Sequence, residues 1–225
     1  MKSNLGALGQ YATDIQLAKT QEQKNALQRK IDSWCAIQKL YVPSLAMLRR
    51  NSDGPSEDEP QNTPLWLPSA ICGKITCDRC LYSIEWDLRY AQANDALHDL
   101  RRNLQLRSHL YKSKDRFATG QRANTRALGI ILRVQRYIAA SAARYRVACK
   151  ALLSLAKPLG KGSTWEASLL ELHEDDIRGL KIGEDRETEG RRTVSWIWKR
   201  CGDLMSKDDD LHECMSSCPY IYYTS

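Results

Sequence analysis

Residues 123–156, ANTRALGIILRVQRYIAASAARYRVACKALLSLA, decide the fold class. Leu128, Ile131, Val134, Ile138, Ala142, Tyr145, Cys149 and Leu152 recur there in steps of 3, 3, 4, 4, 3, 4 and 3, close to a heptad. Side chains at that spacing share one face of an α-helix. Pro158, Gly160 and Gly162 are expected to stop the helix. Upstream, from about Cys80 to Lys112, a second stripe runs through Ile84, Leu88, Ala93, Leu97, Leu100, Leu104 and Tyr111. At a rise of 1.5 Å per residue each helix is roughly 45 to 50 Å long. The link between them holds Thr119 and Gly120 and is short, which forces the two helices to be antiparallel neighbours.

A third long helix is expected before these two. Thr13 and Gln16 have capping-box spacing, and Leu27, Ile31, Trp34, Ile37 and Tyr41 mark one apolar side. Pro43 ends or kinks this helix near Val42. Residues 51–64 form an acidic loop punctuated by Pro55, Pro60 and Pro64, and Leu65-Trp66-Leu67-Pro68 reads as an apolar plug against the helices. Beyond Gly162, Trp165 to His173 is a short amphipathic piece, followed by a polar, acidic stretch to Gly190. Val194, Trp196 and Trp198 alternate as in a short extended segment, with a helical turn as the alternative. From Lys207 the tail is polar, then aromatic, without periodicity. The expected fold is therefore all-α: an elongated antiparallel helical hairpin or bundle of three long helices, with irregular loops and a disordered C-terminal tail. Its divisions are an N-terminal helix (1–50), an acidic linker (51–64), the basic hairpin (65–158), a Trp-containing extension (159–200) and the tail (201–225).

Composition agrees with helices rather than a layered sheet. The 225 residues are 42% hydrophobic, but they include one Phe against six Trp and ten Tyr, and mean hydropathy is −0.54. The Val and Ile runs of a buried parallel sheet are almost absent. No apolar stretch approaches the ~20 residues of a membrane span. Met1 to Gln10 has neither the charged nor the apolar part of a secretory signal, so the expected location is nuclear or cytoplasmic, with the eight cysteines reduced.

Charge is unevenly spread. The total is +7, yet Asp99 to Lys150 carries thirteen Lys/Arg against two Asp, a net +11, which leaves −4 for the remainder. Clustered charge of this kind attracts polyanions more than total charge does. Lys112, Lys114, Arg116, Arg122, Arg126 and Arg133, around the turn, are the candidate nucleic-acid-binding residues. The competing reading is a solvated helix face whose arginines pair with acids elsewhere in the chain.

Nothing in the sequence assembles bond chemistry. Cys72, Cys77 and Cys80 form C-x4-C-x2-C, but a tetrahedral zinc site needs a fourth ligand, which would have to be His98, Cys35 or a distant cysteine. Glu171, Glu174, Asp175 and Asp176 cluster near His173 in one loop, whereas two-metal catalysis needs carboxylates converging from separate rigid elements. Neither a Gly-x-Ser-x-Gly elbow nor a phosphate-cradling glycine loop occurs. The expectation is no catalytic residue, no metal, no cofactor, no membrane and no small-molecule ligand.

Several pieces, taken in order, resemble the C-terminal region of fungal KDZ transposases, the group associated with cysteine clusters. They are Leu40-Tyr41-Val42-Pro43, Leu65-Trp66-Leu67-Pro68-Ser69, Leu88-Arg89 through Asp95-Ala96-Leu97, and Gly120-Gln121-Arg122-Ala123-Asn124-Thr125-Arg126-Ala127. Tyr145-Arg146, Asp176-Ile177-Arg178 and Ser195-Trp196-Ile197-Trp198 follow, so the resemblance covers roughly residues 25–200. It implies a helical accessory region of a transposase without its carboxylate-bearing catalytic domain. The end, with Cys214, Cys218 and Tyr220 to Tyr223, departs from the family, where more helix is usual. The partners implied are DNA, a catalytic domain on another chain, or a second copy. The alternatives are a helical oligomerisation or protein-interaction module, or a decayed transposon fragment without selected activity.

Overall fold

The first helix starts where its cap demands. In the computed structural model, which describes residues 13–51, 60–179 and 194–199, helix α1 spans Asp14–Tyr41. Thr13 Oγ1 accepts from the Gln16 amide (3.4 Å), and the Gln16 side chain accepts in return from the Thr13 amide (3.1 Å). This reciprocal pair satisfies two amides that the first helical turn leaves without partners. Pro43 disfavours a helical Val42, so the chain breaks there and resumes as α2 (Leu45–Asn51). A 3-10 turn (Pro60–Asn62) and α3 (Pro68–Ile71) follow. The two long helices are α4 (Arg79–Phe117) and α5 (Gln121–Leu159), 39 residues each, and α6 is the short Trp196–Lys199. The fold is all-α, with no strand among the described residues. Most of the acidic loop (52–59), the stretch 180–193 and the tail from 200 lie outside those residues.

Packing divides into two units. The first comprises Met1–Asp87 with Ala151–Lys161. Val42, Leu45 and Ile71 are its buried centre, and Leu48, Trp66, Ile75, Cys77 and Leu81 pack around them. The expected apolar plug is thus half realised: Trp66 joins the core while Leu65 stays 43% exposed. Gln38 is buried and fully used. Its Nε2 donates to the carbonyls of Leu65 (3.0 Å) and Trp66 (2.7 Å), and its Oε1 accepts from Arg49 (2.6 Å). Buried Glu85 accepts from the amide and the hydroxyl of Ser69, both at 2.7 Å. Burying polar groups is tolerable only with partners of this kind.

These contacts correct the expected face of α1. Ile31 and Gln38 are buried, whereas Trp34, Ile37 and Tyr41 are 41%, 50% and 66% exposed. The helix turns toward the segment whose carbonyls Gln38 bonds, and that side is less apolar than the one it leaves outside.

The second unit comprises Leu88–Lys150 with Gly162–Ser225. Its parts of α4 and α5 run antiparallel. Arg144 bonds Asp99 and Arg107 bonds Gln135, so position rises along one helix as it falls along the other. Thr119 and Gly120 lie in the link, and Gly120 takes a left-handed φ of +85° that favours glycine. Ala93, Ala96, Leu97, Leu100 and Leu104 of α4 are buried, as are Ile131, Val134, Ile138, Ala142, Tyr145 and Ala148 of α5. The stripe expected for α5 therefore holds, apart from Leu128, which is 45% exposed, and Cys149, which is half-buried. On α4, Ala93, Leu97, Leu100 and Leu104 are buried as expected, but Ile84, Leu88 and Tyr111 are exposed, and Ala96 is buried where the expected stripe had no residue.

The return segment is anchored by polar groups. Buried Tyr145 donates its hydroxyl to the Leu170 carbonyl (2.6 Å), and Arg146 donates to that of Leu172 (3.0 Å). Trp165, Leu169 and Leu172 are buried, as an amphipathic piece requires, although the backbone there is a series of turns. Residues 194–199 form a helical turn and not an extended strand. Ile197 is its buried residue, and the Trp196 ring lies 6.1 Å from that of Tyr145.

Leu100→Ala should cost about 2–5 kcal/mol, the usual cost of emptying a packed leucine site. Leu88→Ala, at a side chain 66% exposed, should cost about 0.5 kcal/mol or less. Urea unfolding followed by circular dichroism separates the two, and equal losses would mean that the buried face of α4 is the one its apolar pattern suggests.

Candidate nucleic-acid interface

Helical phase places the cations. On α5 the buried positions set the core-facing direction. Arg122, Arg126 and Arg133 fall at i, i+4 and i+11, a single stripe turned away from that direction. Arg136 continues the stripe and is also exposed. Lys112 and Arg116, four apart, form a shorter stripe on the last turns of α4, and both are exposed. Lys114 is half-buried. It lines a shallow open groove of about 210 Å³ with Leu110, Ser113, Phe117, Ala118, Ala127 and Ile130. The turn thus gathers five of the six expected residues, split between the two helices. Arg133 stands about 16 Å further along α5 than Arg122.

The thirteen cations of the basic region do not share one fate. Away from the turn, several are consumed inside the second unit. Arg144 pairs with Asp99 (2.7 Å), Arg146 pairs with Glu174 (2.9 Å), and Arg101 donates to the Ile197 carbonyl. Near the turn, Lys114 pairs among the described residues with its neighbour Asp115, at 3.8 Å. Arg116, Arg122, Arg126, Arg133 and Arg136 make no ion pair among the described residues. Residues 107–136 hold eight Lys/Arg against one Asp, a net +7. Pairing within the chain is thus seen in the far part of the region, while Arg116, Arg122, Arg126, Arg133 and Arg136 stand exposed nearer the turn.

Helix dipoles sharpen the contrast. Lys114 and Arg116 in the last turn of α4 complement the negative end of that helix. Arg122 sits at the positive end of α5, whose first turn has no acid. A cation there costs about 0.3–1 kcal/mol and is offset by nothing local. Amides at a helix start and an adjacent guanidinium together suit an anion. Sequence reasoning identified these residues but missed their division into two stripes and the apolar groove beside them.

The other candidate groups resolve structurally. Cys72 donates its thiol to the Ser154 carbonyl (3.3 Å). Pro158 lies inside the last turn of α5 and has no N–H for that carbonyl four residues back, so the thiol supplies a donor that the proline removed. Among the described residues no three His, Cys, Asp or Glu side chains converge as metal ligands. Asp176 caps the 3-10 turn Glu174–Asp176 by accepting from the His173 amide (3.1 Å) and also accepts from the Ser195 hydroxyl (3.4 Å), and Glu174 pairs with Arg146, so these two acids hold the return segment in place. Burial pushes the thiols of Cys77 and Cys149 up, against weaker opposing hydrogen bonds from the Asp78 backbone and the Tyr145 side chain.

A raised thiol pKa means less thiolate at a given pH, and the thiolate is the nucleophile. Exposed Cys80 should therefore be alkylated by iodoacetamide before Cys77 and Cys149 at pH 7.5, with the gap narrowing as pH rises. Peptide-level mass spectrometry checks the order; labelling of Cys149 first would contradict the packing described. In comparisons with known proteins, the chain matches no family model, no curated protein and no solved structure.

Proposed function

We propose that this chain is a non-catalytic helical accessory region of the KDZ-transposase kind, and that it contacts DNA through the end of the hairpin around Gly120. The observation that carries the DNA contact is the stripe of Arg122, Arg126 and Arg133, exposed and without an ion pair among the described residues. Exposed arginines in register along a helix suit phosphates, which they meet with a planar fork of donors. Contacts of this kind position a protein on the duplex without reading its sequence. The transposase part of the reading rests on the ordered motifs quoted above.

An electrophoretic shift with duplex DNA at 50 mM salt tests the contact. About four phosphate contacts correspond to a slope of log affinity against log salt near −4. Arg122→Glu combined with Arg126→Glu should flatten that slope by about 2 and weaken binding about tenfold or more. Arg144→Gln, at a pair already satisfied by Asp99, should leave the slope unchanged. Absence of any shift at micromolar protein would sink the DNA reading.

A second reading, a helical association module, is favoured by one specific observation. Trp34, Ile37, Leu40 and Tyr41 leave a row of large apolar side chains open on α1. Apolar rows of this kind mark interaction surfaces more often than isolated exposed leucines do. Sedimentation velocity at 10–100 µM should then show a concentration-dependent increase, abolished by Ile37→Glu with Tyr41→Glu; a monomer at every concentration argues against it.

A further inference from the structure

We propose, on the DNA reading above, that one phosphodiester strand of the duplex crosses α5 at Gly129 and lies against the bare helix there, held by arginines on both sides. At about 100° per residue, Arg122, Arg126, Gly129, Arg133 and Arg136 fall within an arc of roughly 80°. All five are exposed. Buried Ile131, Val134, Ile138 and Tyr145 lie on the opposite side of the helix. None of the four arginines makes an ion pair among the described residues. Gly129 therefore sits at the middle of the cationic stripe and points away from the core.

Nothing inside the described protein calls for a glycine at this place. Gly129 lies within α5 and, unlike Gly120, has no left-handed φ. A Cβ added to it would meet no atom within 4 Å. A glycine inside a helix costs roughly 0.5–1 kcal/mol relative to alanine, so the position carries a penalty with no internal gain. What glycine permits is close approach of a ligand to the backbone. The charge around it names the ligand. Arg126 and Arg133 stand about 10 Å apart along α5, one on each side of Gly129. A row of phosphates passing between them meets a guanidinium on either flank and a clear path over the glycine. An acidic protein partner has the opposite need, since packing between side chains gains from a larger residue at the centre of the contact.

Titration of a fluorescent duplex with the full chain at 50 mM salt, followed by anisotropy, tests the crossing. Gly129→Leu should weaken binding about tenfold with little change in the salt slope, because no cation is removed. Gly129→Ala should weaken it less, about two- to threefold, in proportion to the smaller side chain. Ala139→Leu adds bulk at an exposed position outside the arc and should leave the affinity unchanged. Leucine and alanine are both better helix formers than glycine, so circular dichroism should show helix content kept in either variant at 129. Wild-type binding matched by Gly129→Leu would overturn the crossing and leave the arginine contact standing. Tighter binding by Gly129→Leu would overturn it too, and would mark this face as one for side-chain packing. No binding by the wild-type chain would remove the DNA reading and the crossing together.

Discussion

A buried phenol cannot be left without an acceptor, and Tyr145 is fully buried in the middle of α5. Its acceptor is the Leu170 carbonyl, in a segment the chain reaches only after α5 has ended and reversed. That bond ties the return segment to the middle of α5. Arg146, the next residue, then meets Leu172 and Glu174, and Trp196 comes to rest beside the Tyr145 ring. Glycine at 179 belongs to the same arrangement, since a Cβ there would stand 2.8 Å from the Ser108 hydroxyl.

The asymmetry of charge pairing along the hairpin follows from this anchoring. Acids and carbonyls of residues 170–197 engage Arg146 and Arg101, and Asp99 engages Arg144. The return segment brings no described acid to the turn, where Lys114 pairs among the described residues with its neighbour Asp115. One continuous basic stretch of sequence thus becomes two environments, one satisfied within the protein and one with its charge outward. Total charge could not have made that distinction, because it counts Arg144 and Arg122 alike.

The first unit shows the same logic with a thiol. Pro158 removes a donor from the last turn of α5, and Cys72 returns one. The cysteine that opened a tempting metal motif is occupied by a backbone carbonyl. Spacing in C-x4-C-x2-C could not reveal this, since the Ser154 carbonyl is 82 residues away in the chain.

By itself the sequence determined the helices, their order and their turn. Capping at Thr13, the break at Pro43, the glycine at 120 and a heptad-like stripe are local signals, and helices form on local hydrogen bonds. The sequence also located the cations. Only the tertiary structure decided which faces are buried, as with Gln38 taken inside while Trp34 and Ile37 stay out, and Ala96 buried while Leu88 is exposed. Burial depends on which distant carbonyls and side chains a face meets, and apolar content alone does not encode those meetings. The same reason separates the engaged arginines from the free ones: charge is written residue by residue, but its neutralisation depends on chain that returns from elsewhere.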